Sequence, residues 1–204
     1  MIIDPSKSKT SDIYRTMIRC ILPRPIAWVS TISEDGVVNL APFSFFTGVT
    51  SSPPSLCFCP GRRSDTGARK DTLANVEATG EFVVNMVPEA LARHMNETAT
   101  DFPPDVNEFE EAGVTPAPSR VVAPPRVSES PVNFECRRID VVHVGPDGPG
   151  GGAIVIGEIV MIHVDESVLS DGKVSSELLN PVARLGGLEY ATLGERFVMK
   201  RRKL

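Results

Sequence analysis

The chain has 204 residues, a length typical of one domain that can bury a sizeable hydrophobic core. Hydrophobic residues make up 41% and charged residues 23%, proportions typical of a globular rather than a disordered protein. The net charge of −5 and the pI near 5.3 argue against nucleic acid or an acidic membrane surface as the main partner. No apolar signal segment opens the sequence and no stretch approaches the ~20 apolar residues of a membrane span, so we expect a cytoplasmic protein.

The first quarter of the chain predicts a short helix and then a series of strands. Apolar residues recur at helical spacing from a cap at Thr10 or Ser11 to about Cys20, and Pro23 and Pro25 then require extended backbone. Strands are expected at 26–32, 37–40, 44–50 and 56–59, the first two joined through a turn at 34–36 and the last two separated by two prolines at 53–54.

A second helix is expected directly after a positively charged loop. Asp71 or Thr72 can cap it, Leu73 and Val76 would face inward, and Gly80 is a natural terminator. The remaining expected elements are a strand at 81–87, helices at 89–97 and 107–112, and two long strands at 134–144 and 153–164.

Three segments between or after these elements are irregular. Seven prolines between Pro103 and Pro131 predict an extended arm on the surface, because strand patterns resume directly after it. Gly148 and Gly150 belong to a glycine pattern in the loop 145–152, but a strand follows it where a dinucleotide fingerprint needs a helix, so we interpret the loop as a hairpin tip. The glycine-rich segment 181–190 suggests backbone fitted closely against another surface.

The loop from Gly61 to Lys70 is the clearest chemical signal. It holds four cations against Asp65 alone, a local balance of +3 in a chain whose net charge is −5. The cations are Arg62, Arg63, Arg69 and Lys70. Because a positive loop that enters a helix start suits a phosphate group, we predict a small-anion site here, with a solvated charged loop as the alternative.

Cysteine and histidine spacing indicates no metal site. The four cysteines lack a C-x-x-C pair, and we expect buried free thiols. We expect His94 on an exposed helix, whereas His143 and His163 lie near the ends of successive strands and can face one another across a hairpin. No catalytic triad or pair of carboxylates can be assembled from spacing, and the basic end of the chain, 200–203, is interpreted as solvated charge.

An ordered set of motifs identifies a family resemblance that composition and periodicity do not provide. The motifs are PRPIAWVST, NLAPFSFF, KDTLAN, TGEFVVN, ESPVNFEC, VIGEIVMIHVD and PVARLGGLEY. Each is weak alone, but in this order and spacing the chain from about Asp12 onward resembles the flavin reductase-like family of FMN-binding split-barrel proteins. The resemblance implies a mainly β fold, a six-stranded Greek-key split barrel with peripheral helices.

The same resemblance implies a flavin site. The residues that match its ring and ribityl side are Ser30, Thr31, Asn39, Ala41, Pro42, Phe43 and Ser44, and those that match its phosphate side are Arg62, Lys70 and Thr72. Arg184 and Tyr190 match a tail that approaches the flavin pocket, often across a homodimer interface, and His163 matches a recurring position without an assigned role.

Three functions are open at this point. The first is an oxidoreductase that transfers a hydride from NADH or NADPH to flavin, with FMN expected because one anion site suffices and no adenosine fingerprint is visible. The second is an FMN electron carrier reduced by a partner protein. The third is a binding module that has lost flavin, which the intact Lys70-Asp71-Thr72 and Asn39 disfavour. The resemblance favours the reductase.

Overall fold

The computed structural model of the protein describes residues 1–202 and is built around one seven-stranded antiparallel sheet. Its strands are β1 (Ala27–Ile32), β2 (Val38–Phe43), β3 (Phe46–Ser51), β4 (Pro54–Phe58), β5 (Glu81–Asn85), β6 (Val132–Val144) and β7 (Gly152–Val164). They are ordered β2-β1-β5-β6-β7-β4-β3, and in the described part of the chain the edge strands β2 and β3 do not pair with each other, so the sheet is not closed. The mainly β class is confirmed, while the implied count of six strands becomes seven.

Helices and short strand pairs surround this sheet. The helices are α1 (Thr10–Cys20), α2 (Asp71–Thr79), α3 (Ala92–Glu97), α4 (Glu108–Ala112) and α5 (Ser176–Leu179), with 3-10 turns at Pro5–Lys7, Glu89–Leu91 and Glu166–Val168. Short strands pair Arg24–Pro25 with Ala183–Arg184, Ala183–Arg184 with Tyr190–Ala191, Pro116–Ala117 with Arg126–Val127, and Leu169–Ser170 with Lys173–Val174. The exposed residues 200–202 agree with a solvated basic end, and Lys203 lies outside the described residues.

Turn chemistry sets both main hairpins. The β1–β2 turn closes with the Ser33 amide donating to the Val37 carbonyl at 2.8 Å, and Gly36 takes the left-handed backbone (φ +85°) that glycine tolerates. The expected hairpin tip between β6 and β7 is confirmed. A Cβ on Gly151 would lie only 2.0 Å from the Pro146 carbonyl oxygen, so this tight loop requires glycine.

The second helix forms where predicted but is capped differently. Lys70 occupies the N-cap position and its side chain makes no capping hydrogen bond, so neither Asp71 nor Thr72 acts as the cap. Asp71 is the first helical residue, and its carboxylate pairs with Arg63. Gly80 ends the helix in left-handed conformation (φ +73°), as predicted, and Leu73 and Val76 are buried. Helix α1 likewise follows Lys9 without a side-chain cap, which corrects the Thr10 or Ser11 expectation.

Two cores lie on opposite faces of β1, because successive strand residues point to opposite sides. Val29 belongs to the first core, with α2 and the inner faces of the central strands; its other large members include Phe43, Phe58, Leu73 and Phe82. Trp28 belongs to the second, beneath α3 and α4; its other large members include Leu40, Met95 and Phe109. The Trp28 indole Nε1 donates to the Thr98 hydroxyl at 2.9 Å, which ties the chain after α3 to the sheet.

The proline-rich segment is more firmly attached than an extended surface arm. Val127 is fully buried, and the Ser30 hydroxyl donates to the Pro125 carbonyl at 2.5 Å. The buried Glu135 carboxylate on β6 accepts the amides of Arg120 and Val121 at 2.8 and 2.7 Å. These contacts hold the segment against the face of β1, β5 and β6.

One expectation about the thiols was wrong in part, and two about the imidazoles were wrong. All four cysteines are free, as expected, but only Cys136 is buried: Cys57 and Cys59 are half-buried, and Cys20, the last residue of α1, is exposed. The two strand histidines lie at opposite ends of the β6–β7 hairpin, paired in register with Ala153 and Asn133 respectively, because the pairing is antiparallel. His94 is half-buried, with Nδ1 2.7 Å from the Ala112 carbonyl oxygen, and so is not on an exposed surface.

Candidate functional site

The N-terminus of α2 is the positively charged centre of the site. Arg63 and Lys70 flank the start of this nine-residue helix, whose first amide groups lack helical acceptors. Arg63 Nη2 lies 2.9 Å from Asp71 Oδ2, so one acidic side chain at the helix start is already matched. The arrangement combines two cations and free amide donors at one place, which is the donor set that a phosphate group requires.

Strand β2 and helix α4 supply a buried polar network beside the helix start. Turned so that its nitrogen faces the carboxylate, the Asn39 side chain donates to Glu108 Oε1 at 3.2 Å and accepts from the Thr72 hydroxyl at 2.9 Å. Glu108 Oε2 accepts the Leu40 amide at 3.1 Å. Burial raises the pKa of Glu108, against the opposing effect of the amide hydrogen bonds that it accepts. The network fixes Asn39 and Thr72 relative to each other.

The segment after α3 lies over the helix start. Asp101 Oδ1 lies 3.4 Å from Lys70 Nζ and 3.6 Å from Arg63 Nη1. Between this segment, β2 and α2 is a cavity of about 120 Å³. Its lining residues are Asn39, Ala41, Pro42, Arg63, Lys70, Asp71, Thr72, 98–102 and Glu108.

The cavity brings together five of the residues predicted for the site: Asn39, Ala41, Pro42, Lys70 and Thr72. The others near β1 and β2 have partners within the protein. The Thr31 hydroxyl accepts from Asn75 of α2 at 3.0 Å, Phe43 packs in the core, and the Ser44 hydroxyl accepts from Arg24 Nε at 3.3 Å. Ser30 faces the proline-rich segment, on the opposite side of β1 from Thr31.

Arg62, Arg184 and Tyr190 do not line this cavity. Arg62 points to the other side of its loop, where it contacts Asp147. Arg184 stacks on the Tyr190 ring, with the guanidinium carbon 4.3 Å from the ring centroid, and the Tyr190 hydroxyl donates to Asn96 Oδ1 at 3.0 Å. Arg184 and Tyr190 therefore contact each other across the paired short strands 183–184 and 190–191, outside this cavity.

Among the side chains that the sequence interpretation missed are two carboxylates of the cavity and one buried arginine near it. Asp101 and Glu108 carry no motif, since each is one carboxylate in an acidic or proline-rich stretch. Arg24 is buried and donates to the carbonyls of Ile18, Ile21 and Leu185, and burial lowers its pKa. The signal that could have found Arg24 is its position between two prolines, which fixes its backbone.

The comparisons with known proteins identify the family. The model of the flavin reductase like domain matches residues 18–180. The chain belongs to this family. A relative from Halalkalibacterium halodurans is 40% identical over 98% of this chain and 96% of its own length, and one from Aquifex aeolicus is 44% identical over 87% and 88%.

Solved structures share the fold. Nitrilotriacetate monooxygenase component B from Bacillus cereus has a TM-score of 0.92 and 36% identity, covering 98% of both chains. Pseudomonas fluorescens 2-nitrobenzoate 2-nitroreductase has a TM-score of 0.86 and 28% identity, covering 99% of this chain and 96% of its own. Flavoredoxin of Desulfovibrio vulgaris has a TM-score of 0.73 and 26% identity, covering 87% and 91%. The fold is the split barrel of the flavin reductases.

The residues present fit the phosphate end of a flavin. Lys70, Arg63 and the Thr72 hydroxyl surround one cavity at a helix start, and the Asp101 carboxylate already contacts both cations as an internal anion. Within residues 1–202 no group of three histidine, cysteine or acidic side chains could hold a metal ion. No helix in that range is long and apolar enough to cross a membrane.

Proposed function

We propose that this flavin reductase-like protein is an FMN-dependent oxidoreductase in which a hydride passes from NADH or NADPH to the flavin. The observation that supports the proposal best is the shared cavity of Lys70, Arg63 and Thr72 at the start of α2. Two cations, a hydroxyl and free helix amides are the donors that one phosphate group needs. FMN carries one terminal phosphate. We prefer FMN because this site suits one phosphate group. The glycine pattern at the β6–β7 tip precedes a strand, so it is not a dinucleotide-binding fingerprint.

The protein's own contribution is binding and orientation. When bound, FMN supplies the hydride chemistry itself, so the chain needs no general acid or base. Lys70 and Arg63 would neutralise the phosphate, and Asn39, held by Thr72 and Glu108, would present a fixed amide along strand β2. We assign the backbone of 41–44, the last residues of β2 and the residue after it, to the ring side.

An anaerobic reduction experiment tests this function. NADH or NADPH is added to the FMN-loaded protein, and the visible flavin band is followed by stopped-flow absorbance. We expect bleaching within seconds. Dithionite serves as the positive control, because it reduces flavin without a nicotinamide site. A band that dithionite bleaches and neither nicotinamide affects would refute the reductase.

The similarity to flavoredoxin favours a second candidate, an FMN electron carrier reduced by a partner protein. The similarity to a monooxygenase component supports a related use, in which the reduced flavin serves a second protein. The carrier predicts that dithionite-reduced protein reoxidises on contact with a partner while NADH and NADPH leave the oxidised band unchanged. The same stopped-flow series therefore decides between the two candidates.

A further inference from the structure

The cationic loop has two faces, and only one of them lines the cavity described above. Arg63 and Lys70 face that cavity, whereas their neighbours Arg62 and Arg69 line a second cavity of about 250 Å³. Adjacent cations of one short loop therefore face different cavities. The flavin assignment does not use the second cavity.

Arg62 is the buried cation of the second cavity. Its side chain is only 10% exposed, and Nη1 donates to the Gly67 carbonyl at 3.1 Å, which fixes the guanidinium within its own loop. Its Nη2 contacts the carboxylate of Asp147, whose side chain is 87% exposed. The partner of this buried guanidinium is thus an exposed carboxylate at a hairpin tip. Because an exposed carboxylate contributes little free energy to an ion pair, an external anion can replace it.

The opposite wall supplies further donors. Arg69 Nη1 lies 2.8 Å from Glu77 Oε2, and His143 Nε2 lies 2.9 Å from Glu77 Oε1, so one carboxylate of α2 orients both side chains. Their exposed fractions, 51% and 47%, leave both accessible from solvent. The ionisable groups that line this cavity are therefore Arg62, Arg69, His143 and Asp147, and Glu77 pairs with two of them.

The β6–β7 tip forms the rim and is built to lie close to the cationic loop. A Cβ on Gly67 would come within 2.6 Å of the Pro149 ring, so the backbones approach more closely than other residues allow. Arg62 also donates its amide to the Gly151 carbonyl at 3.0 Å. The rim is therefore attached at its base while Asp147 projects into solvent.

We propose that the second cavity binds a phosphate group, with Arg62 and Arg69 as its cationic ligands and Asp147 as the internal carboxylate that the phosphate displaces. Planar guanidinium groups suit the oxygen pairs of phosphate. Two sources share this chemistry: the 2′-phosphate of NADPH and free inorganic phosphate. The NADPH source rests on the proposed function; the anion site itself does not.

Calorimetric titration of the FMN-loaded, full-length protein with 2′-AMP, 5′-AMP and inorganic phosphate tests the site. We expect saturable binding of 2′-AMP that falls about tenfold in both Arg62→Gln and Arg69→Gln and rises in Asp147→Asn. Lys173→Ala, an exposed lysine on a distant hairpin, is the control and should leave the affinity unchanged. Phosphate that binds as tightly as 2′-AMP identifies the free anion as the source.

Absence of saturable binding for all three probes would overturn the proposal, as would binding that neither arginine variant weakens. FMN retention, read from the visible spectrum of each variant, shows that the first cavity is intact. Because these titrations transfer no electrons, they can succeed when neither nicotinamide bleaches the flavin. Conversely, suppose that NADH and NADPH bleach the flavin with the same dependence on their concentrations while 2′-AMP does not bind. That result would support the reductase function and refute this phosphate site.

Discussion

At the scale of single residues, Lys70 decides how the phosphate end is recognised. It precedes the first helical residue of α2 and lies 3.4 Å from Asp101 through its ammonium group. The group that it offers to a ligand is its ammonium charge. The strength of flavin binding should therefore depend on whether the flavin carries a phosphate.

We predict that Lys70→Ala weakens FMN binding by about 1.5–3 kcal/mol, the range for a charge-assisted hydrogen bond, and leaves riboflavin binding nearly unchanged. Fluorescence titration of the apoprotein with both flavins measures the difference. Lys173→Ala, which removes an exposed lysine elsewhere, is the matched control. Equal losses for the two flavins would remove Lys70 from the phosphate site.

Asp101 has the opposite effect at the same place. Its carboxylate contacts both cations that the phosphate would need, so a phosphate must compete with it. Because its side chain is 59% exposed, the competition is screened by solvent and worth little. We predict that Asp101→Asn tightens FMN binding about twofold to fivefold.

The same titration with Asp101→Asn and riboflavin is the control, since riboflavin has no phosphate to compete. An affinity for FMN that falls in Asp101→Asn would mean that this residue holds the segment over the cavity rather than competing for its cations.

At the scale of elements, the attachment of the proline-rich segment to the sheet depends on one buried carboxylate. Glu135 accepts two backbone amides from this segment, and His163 Nε2 lies 2.5 Å from its Oε1. This contact gives the histidine a structural role in holding β7 to the same carboxylate. Burial acts to raise the pKa of Glu135, but the amides of Arg120 and Val121 and the histidine outweigh it, so the pKa lies below its ordinary value.

We predict that Glu135→Gln lowers the free energy of unfolding by about 1–3 kcal/mol at pH 7, because two buried amides lose a charged acceptor. A lowered folded pKa contributes stability above the unfolded value, near 4.5, and that contribution is lost as pH falls through the folded pKa. Urea denaturation from pH 7 to pH 3 should show the two proteins converging. The exposed Glu166→Gln is the control, and a difference that does not shrink with acid would contradict the assignment.

At the scale of the whole molecule, the long β6–β7 hairpin carries several exposed apolar residues. Val142 and Val144 lie near the tip, Ile139 near the middle, and Ile162 and Val164 at the other end, all at least 37% exposed. Single exposed apolar residues are common, but several on one hairpin are typical of an interaction surface. The resemblance implies a homodimer, and we expect the hairpin to contribute to its interface.

We predict a dimer mass by light scattering at micromolar concentration with FMN bound. Val142→Glu should shift the protein toward monomer, because an unpaired charge would be buried in the interface. The exposed Glu166→Gln variant again serves as the control for charge change outside the hairpin. A monomeric mass for the unmodified, FMN-loaded protein would refute the dimer.

The sequence alone determined the features that depend on local chemistry. The hairpin at Gly36, the end of α2 at Gly80, the inward faces of Leu73 and Val76, and the tip between the two long strands all follow from short-range patterns. The ordered motifs determined the family, the β class and five residues of the cavity. The positive charge of the loop 61–70 was evident from its residue composition.

Only the tertiary structure decided which way those cations face. Adjacent arginines in an irregular loop have no period, so Arg62 and Arg63 separate only because the β6–β7 tip packs on one side and α2 on the other. Glu108 and Glu135 gain partners from segments distant in sequence, and no local pattern records such contacts. The expected cap of α2 also fails on a contact between segments: Asp71 is the first helical residue, and its carboxylate pairs with Arg63 of the loop rather than capping the helix.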